Sequence, residues 1–158
     1  PDGVGTVGIL ECRPGSTNVV PGEIFLTIDL RHPQDAAVAR MEEELREKLA
    51  AIQGELDFAL ERIWVSPAVH FDPALIGHVR EAAERLGYPH RDITSGAGHD
   101  AVYVAKVAPT TMIFVPCRDG ISHNEAEEST LEQCAAGTQV LLNAVLAFDA
   151  GLEQAATR

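Results

Sequence analysis

Apolar and polar residues alternate from Glu23 to Arg31, with Ile24, Leu26, Ile28 and Leu30 on one side and Phe25, Thr27, Asp29 and Arg31 on the other. A period of two marks a strand with one wet face. Val4 to Arg13 reads as a companion strand with Val7 and Ile9 on one face, broken by Pro14-Gly15-Ser16. Residues 14–22 then join the two as an antiparallel pair. The period changes after Arg31. Val38, Met41, Leu45, Leu49 and Ile52 recur at three- and four-residue steps, Glu42, Glu43, Arg46 and Glu47 face outward, and Gly54 is a stop. That pattern predicts a helix. Leu56 to Val65, less regular, is expected to return as a third strand. The order ββαβ lacks only a leading βα to complete a ferredoxin-like βαββαβ domain.

Pro67 to Asp72 reads as a crossing between domains, which divides the chain into residues 1–70 and 71–158. Asp72-Pro73 caps and starts a helix with the apolar stripe Leu75, Ile76, Val79, Ala83 and Leu86, closed by Gly87. Ala101 to Val107 is expected to be a short helix ending before Pro109. The run Thr111-Met112-Ile113-Phe114-Val115 has no polar break, so both of its faces should be buried. It suits a central strand of a mostly parallel sheet, and over so few residues a buried helix fits equally. Ser129-Thr130-Leu131-Glu132 fits a capping box. The final helix carries Leu131, Cys134, Ala135, Thr138, Leu142, Val145 and Phe148 on one stripe and should fray after Gly151.

A net charge of -12 argues against nucleic acid and against anionic membrane surfaces as partners. No stretch of apolar residues is expected to span a membrane. Cys12, Cys117 and Cys134 are odd in number and lack CxxC spacing, which points to reduced thiols and a cytoplasmic location. A start at Pro1 suggests processing, truncation or a missing upstream portion, and the missing leading βα is a second hint that the chain begins mid-domain.

Candidate chemistry concentrates between Ser95 and Glu127. A glycine-rich turn, Ser95-Gly96-Ala97-Gly98, leads into His99 and Asp100; the apolar run follows; a tight loop, Asp119-Gly120-Ile121-Ser122, then delivers His123 near Glu125 and Glu127. In open α/β sheets, ligands sit beyond the carboxyl ends of the strands, where this loop would lie. By residue type alone, His123 is a surface or capping histidine or a ligand. Arg31 beside Asp29 is a cross-strand ion pair or an anion clamp, and Asn18 is an ordinary turn residue or a side-chain amide for a ligand. His32, His70, His78 and His90 read as surface or satisfied core histidines. Cys117 reads as a small buried residue.

These motifs resemble those of the hydantoinase/carbamoylase branch of the aminoacylase- and carboxypeptidase-like dinuclear metallohydrolases. The resemblance rests on TVG at Thr6 to Gly8, STNVVPG at Ser16 to Gly22, DLR at Asp29 to Arg31, SGAGHDA from Ser95 and GISHNxAE from Gly120, with Glu125 where the family often has proline. It covers only the C-terminal part of such an enzyme. It implies an α/β fold: part of a ferredoxin-like α+β dimerisation (lid) domain, then the C-terminal part of an α/β zinc-peptidase-like catalytic domain. It further implies that His123 ligates one of two divalent ions (Zn, Mn, Co or Ni), with Glu127 as its partner or a helix-terminal charge. Arg31 and Asn18 would hold the carboxylate end of a small ureido acid, and Gly96, Ala97, Gly98 and His99 would line the substrate. The implied reaction is hydrolysis of a carbamoyl C–N bond by a homodimer paired through the lid domain. No catalytic base has a counterpart here, so the chain alone is expected to be inactive. The competing reading is a non-catalytic dimerisation or regulatory piece of the same scaffold.

Overall fold

The computed structural model describes residues 2–52, 54 and 56–156. The chain divides into two compact units, Pro1–Ala68 and Val69–Arg158.

In the first unit, β1 (Val4–Arg13) and β2 (Glu23–Arg31) pair antiparallel, as their alternation requires. The register runs from Val4 opposite Arg31 to Arg13 opposite Glu23, and Gly22 N–H closes the connection on Arg13 O at 2.9 Å. A bulge between Val7 and Ile9 changes the expected facing. Val7 opposes Ile28, but Ile9 opposes Thr27 and Leu10 opposes Leu26. Val7 and Ile9 therefore lie on opposite faces, because the inserted Gly8 shifts the pleat by one residue. Thr27 Oγ1 accepts the Ile9 N–H at 3.1 Å beside the bulge.

Helix α1 (Asp35–Ile52) follows, with Val38, Met41, Leu45 and Leu49 half-buried along the expected stripe and Ala37 buried. The third strand is absent. Leu56–Val65 forms no ladder with any described residue, and Ile63 and Trp64 are 80% and 77% exposed. Apolar composition cannot make a strand without a partner for its N–H and C=O groups. The segment is tied instead by side chains, with Arg62 pairing to Glu42 and Ala68 N–H donating to Asp35 Oδ1 at 2.8 Å. The described order is thus ββα.

The second unit is built on α2 (Pro73–Arg85) and α4 (Leu131–Ala156). Asp72 caps α2 as expected, Oδ1 accepting the N–H groups of Ala74 and Leu75 at 2.9 Å. Gly87 (φ 72°) ends it in a Schellman motif: Tyr88 N–H returns to Ala83 O and Gly87 N–H to Glu84 O, both at 3.0 Å. Ala82 and Ala83 of α2 and Val140 and Ala144 of α4 are the buried centre, with Val79, Leu86, Tyr88 and Ile113 around them.

That packing overturns the expected stripe of α4. The side turned inward is the small-residue one, Gly137, Val140 and Ala144, because Ala82 and Ala83 meeting Val140 and Ala144 let the helices approach. Leu142 and Val145 stay exposed. Val145 lines a groove of about 640 Å³ together with Cys134, Thr138, Leu141 and Phe148. Over Leu131–Leu152, α4 reaches a mean hydropathy of 1.3, long and apolar enough to cross a membrane by length and composition, contrary to the sequence expectation. Core helices of soluble proteins meet the same criterion. The helix runs past Gly151 to Ala156.

The cap of α4 is shifted by one residue. Thr130 Oγ1 accepts the Gln133 N–H at 3.2 Å and Gln133 Oε1 accepts the Thr130 N–H at 2.8 Å. Ser129, expected to be the cap, donates its hydroxyl to Pro116 O at 2.9 Å. Helix α3 covers only Ala101–Val104, shorter than expected, with turns to Val107. Thr111 to Val115 forms no strand among the described residues. One side meets α4, where Val115 lies against Gly137, but Phe114 is 46% exposed. Here too the apolar run signals burial without supplying the neighbouring strands a central position needs.

Candidate functional site

Each unit carries its own group of the expected site residues. In the first, antiparallel pairing places Thr6 directly opposite Asp29, and Val4 opposite Arg31, on one face of the sheet. Arg31 Nε donates to Asp29 Oδ1 at 2.7 Å and Nη2 to Oδ2 at 2.9 Å, a two-point pair within β2 and not across strands as expected, because Thr6 and Val4 stand opposite; it fixes the plane of the guanidinium. This hydrogen bonding holds the Asp29 carboxyl below its ordinary pKa and raises that of Arg31. Asn18 sits in the 14–22 connection, where Ser16 Oγ donates to its Oδ1 at 2.7 Å.

In the second unit, the turn Ser95–Gly98 is organised by Ser95. Its Oγ accepts the Ala97 N–H at 3.2 Å and lies 2.8 Å from His99 Nε2. The His99 ring also meets Phe114 edge-on, with centroids 5.6 Å apart. Neither Gly96 nor Gly98 has a left-handed backbone, and a Cβ on either would meet nothing within 4 Å. Neither a positive φ nor a Cβ clash with the described residues accounts for glycine at those two positions.

The loop that ends in His123 is braced throughout. Arg118 N–H donates to Glu128 O at 2.8 Å, its Nη1 to Glu128 Oε2 at 2.6 Å, and its Nη2 to Ala126 O at 2.9 Å. A single 3-10 turn, Arg118–Gly120, has Asp119 in the left-handed region (φ 54°). His123 is exposed and also left-handed (φ 56°). Its Nδ1 lies 2.9 Å from Ser122 Oγ, and its N–H donates to Glu127 Oε2 at 2.9 Å. Nε2 has no hydrogen-bond partner among the described residues. The resemblance left Glu127 as the partner of this histidine or as a helix-terminal charge; the carboxylate holds the His123 backbone, and Ser122 is the imidazole's neighbour.

Ser122, Ser95 and Arg118 escape the sequence reading. The Ser-His dipeptide signals the first; the others act through folded-state contacts that no local pattern announces. Among the remaining histidines, His32 Nδ1 accepts the Gln34 N–H and His90 bonds Tyr88 O. His78 departs from expectation, because its Nδ1 is buried with no hydrogen-bond partner among the described residues. Cys117 is half-buried at the start of the His123 loop.

No group of three or more His, Cys, Asp or Glu among the described residues is placed to hold a metal ion. The exposed imidazole of His123 can supply one donor at most. A neutral imidazole with its second nitrogen occupied by a neighbour is the usual form of such a ligand.

Residues 2–147 match the family described as Peptidase family M20/M25/M40. The chain is 46% identical over 148 residues to the N-carbamoyl-L-amino-acid amidohydrolase of Rhizobium meliloti, covering 92% of this chain and 36% of that protein. It is 38% identical over 138 residues to the allantoate amidohydrolase of Escherichia coli (strain K12), covering 86% of this chain and 34% of that one. A crystal structure of an amidase of the hydantoinase/carbamoylase family from Burkholderia multivorans superposes with a TM-score of 0.88 at 56% identity, over 93% of this chain and 36% of that chain. The chain thus spans about a third of the length of these relatives.

Proposed function

The chain belongs to peptidase family M20/M25/M40, and from that premise we propose that it is the C-terminal part of a metal-dependent amidohydrolase. The substrate would be an N-carbamoyl amino acid or a related ureido acid, cleaved at its carbamoyl C–N bond. The observation that carries this reading is the presentation of His123: exposed, its Nδ1 against a hydroxyl, its Nε2 without a partner among the described residues, in a cross-braced loop. The names of the relatives, amidohydrolases of small ureido compounds, support the substrate class.

Peptidases of this family are generally dinuclear metal enzymes. A pair of divalent ions, Zn, Mn, Co or Ni, would polarise the carbamoyl oxygen and lower the pKa of a water. His123 would donate Nε2 to one of them, with Nδ1 protonated and donating to Ser122 Oγ. Arg31 would bind the substrate carboxylate, with the plane of its guanidinium set by Asp29. Asn18 would add its side-chain amide. Gly96, Ala97, Gly98 and His99 would let backbone approach the substrate, which accounts for two glycines that neither a positive φ nor a Cβ clash with the described residues explains. The first unit would act as lid and dimerisation domain of a cytoplasmic homodimer, and the base that moves the proton would come from residues outside this chain.

The test is metal content and carbamoylase activity of the full-length enzyme, comparing wild type with His123→Ala and Arg31→Lys. The first variant is expected to lose bound metal. The second is expected to keep its metal and raise KM, because lysine cannot reproduce a planar fork. Wild-type metal content in His123→Ala would refute the ligand assignment.

A further inference from the structure

Positive φ is uncommon for any residue that carries a Cβ, although histidine, with asparagine and aspartate, enters the left-handed region more readily than most. Such a conformation persists where surrounding contacts over-determine it. At His123 (φ 56°) the contacts are specific. Glu127 Oε2 accepts the His123 N–H at 2.9 Å. The backbone from which that side chain springs is itself held: Glu127 N–H donates to Asn124 O at 2.9 Å, and Ala126 N–H to Asn124 Oδ1 at 2.9 Å. Residues 123–127 thus close a ring whose last member reaches back to its first. Arg118 fixes the far end through Glu128 and Ala126 O.

The direction of the carboxylate decides its role. Its Oε2 is bound to the histidine's amide, while Nδ1 of the ring has Ser122 Oγ 2.9 Å away. A carboxylate used to polarise a ligating imidazole would instead meet the ring nitrogen.

We propose that Glu127 is a positioning residue: it holds His123 in the left-handed conformation, so that the ring is already aimed when metal arrives, while Ser122 keeps the proton on Nδ1. The proposal rests on the reading of His123 as a ligand. The two make separate predictions. What Glu127 supplies is a hydrogen-bond acceptor at one place, and its charge is secondary. Glutamine has the same reach and keeps an acceptor oxygen; alanine has none.

The experiment uses the full-length protein in wild-type, Glu127→Ala, Glu127→Gln, Ser122→Ala and His123→Ala forms. Zn2+ affinity is measured by competition with a chelator, and the His123 amide and ring nitrogens by NMR on the metal-free protein. Glu127→Ala is expected to weaken Zn2+ binding about 10- to 100-fold, the usual range for groups supporting a ligand. It should also shift the His123 amide proton upfield, before any metal is added. Glu127→Gln should stay within a few-fold of wild type and keep most of the amide shift. Ser122→Ala should redistribute the proton between the ring nitrogens and leave the amide in place. If Glu127→Gln falls as far as Glu127→Ala, the group acts by charge or by direct ligation and the proposal is wrong. If Glu127→Ala matches wild type in affinity and amide shift while His123→Ala loses Zn2+, the proposal fails and the ligand reading survives. Full Zn2+ retention in His123→Ala removes both. Should Glu127→Ala not fold, Glu127→Asp, one methylene short of the amide, replaces it with the same expectations.

Discussion

Two loops carry the polar residues of the proposed site, Asn18 for the substrate and His123 for a metal ion, and they are built differently. The 14–22 connection is tied at its ends, by Gly22 N–H on Arg13 O and by Arg13 Nη1 on Glu23 Oε1, but between them presents Asn18 on little: a long Val19 N–H to Ser16 O contact of 3.5 Å and the Ser16 hydroxyl on Asn18 Oδ1. The loop from Cys117 to Glu128 is pinned at both ends by Arg118 and closed in the middle by Glu127 and Asn124. The difference matches what each loop would have to do. A metal ligand gains from being set before the ion arrives, since any ordering on binding subtracts from affinity. A residue on a closing domain can take its final place when substrate does.

The comparison breaks most plainly in paired variants of the full-length enzyme. His123→Ala removes the proposed metal ligand and should lower kcat by about 10^3-fold or more, the equivalent of several kcal/mol of charge stabilisation. Asn18→Ala removes the proposed hydrogen bond to substrate and should raise KM by about 10-fold with kcat nearly kept. Steady-state kinetics separate the two. Equal losses in kcat would mean that the loops share one task.

Arg118→Ala asks whether the bracing matters apart from Glu127. It breaks the side-chain tie to Glu128 and the bond to Ala126 O but leaves the His123–Glu127 bond possible. A fall of about 10-fold in Zn2+ affinity, at the lower end for supporting groups, is expected by chelator competition. No change would confine the preorganisation to residues 122–127.

The same contrast separates what could be read from the chain and what could not. Helix α2 was legible because its signals are local: Asp72-Pro73 at one end, Gly87 at the other, a stripe between. The β1–β2 pair was legible because its partners are close in sequence. Leu56–Val65 and Thr111–Val115 were not, since strand identity depends on a partner that apolarity does not name. The face change at Gly8 was hidden for a related reason, because a bulge is a property of the pair. Ser129-Thr130-Leu131-Glu132-Gln133 contains two overlapping capping boxes, and only a tertiary bond from Ser129 to Pro116 O selects the second. His123 could be found from its motif. Its conformation could not.

Helix α4 misled because the largest apolar residues drew attention from the small ones. Gly137 tests the correction. A Cβ there would fall well inside van der Waals contact of Val115 Cγ1. Gly137→Ala in an ordinary helix gains about 1 kcal/mol, while overpacking costs about 1–3 kcal/mol, so a net loss of about 1 kcal/mol is expected in urea unfolding. Val115→Ala should relieve it, and the double variant should be more stable than the sum of the single losses predicts. Additivity would show that Val115 moves aside without cost.

The smallest effect belongs to the exposed pair that orients Arg31. Asp29 has its carboxyl pKa lowered by the hydrogen bond from Arg31, so the folded pKa lies below the unfolded one. The sign follows: the pair contributes fully above the unfolded value, about 3.9, and the contribution drains away as pH falls through the folded value. Arg31, raised from an already high value, stays charged throughout that window. Both side chains are about half exposed, so solvent screens the interaction and only a small difference is expected. Urea midpoints of wild type and Asp29→Asn should differ by a constant amount at pH 5 and above, then converge below about pH 4. A difference that persists unchanged at pH 3 would mean that the amide substitution disturbs the sheet by some route other than charge, and that the plane of the guanidinium is set by its neighbours on β1.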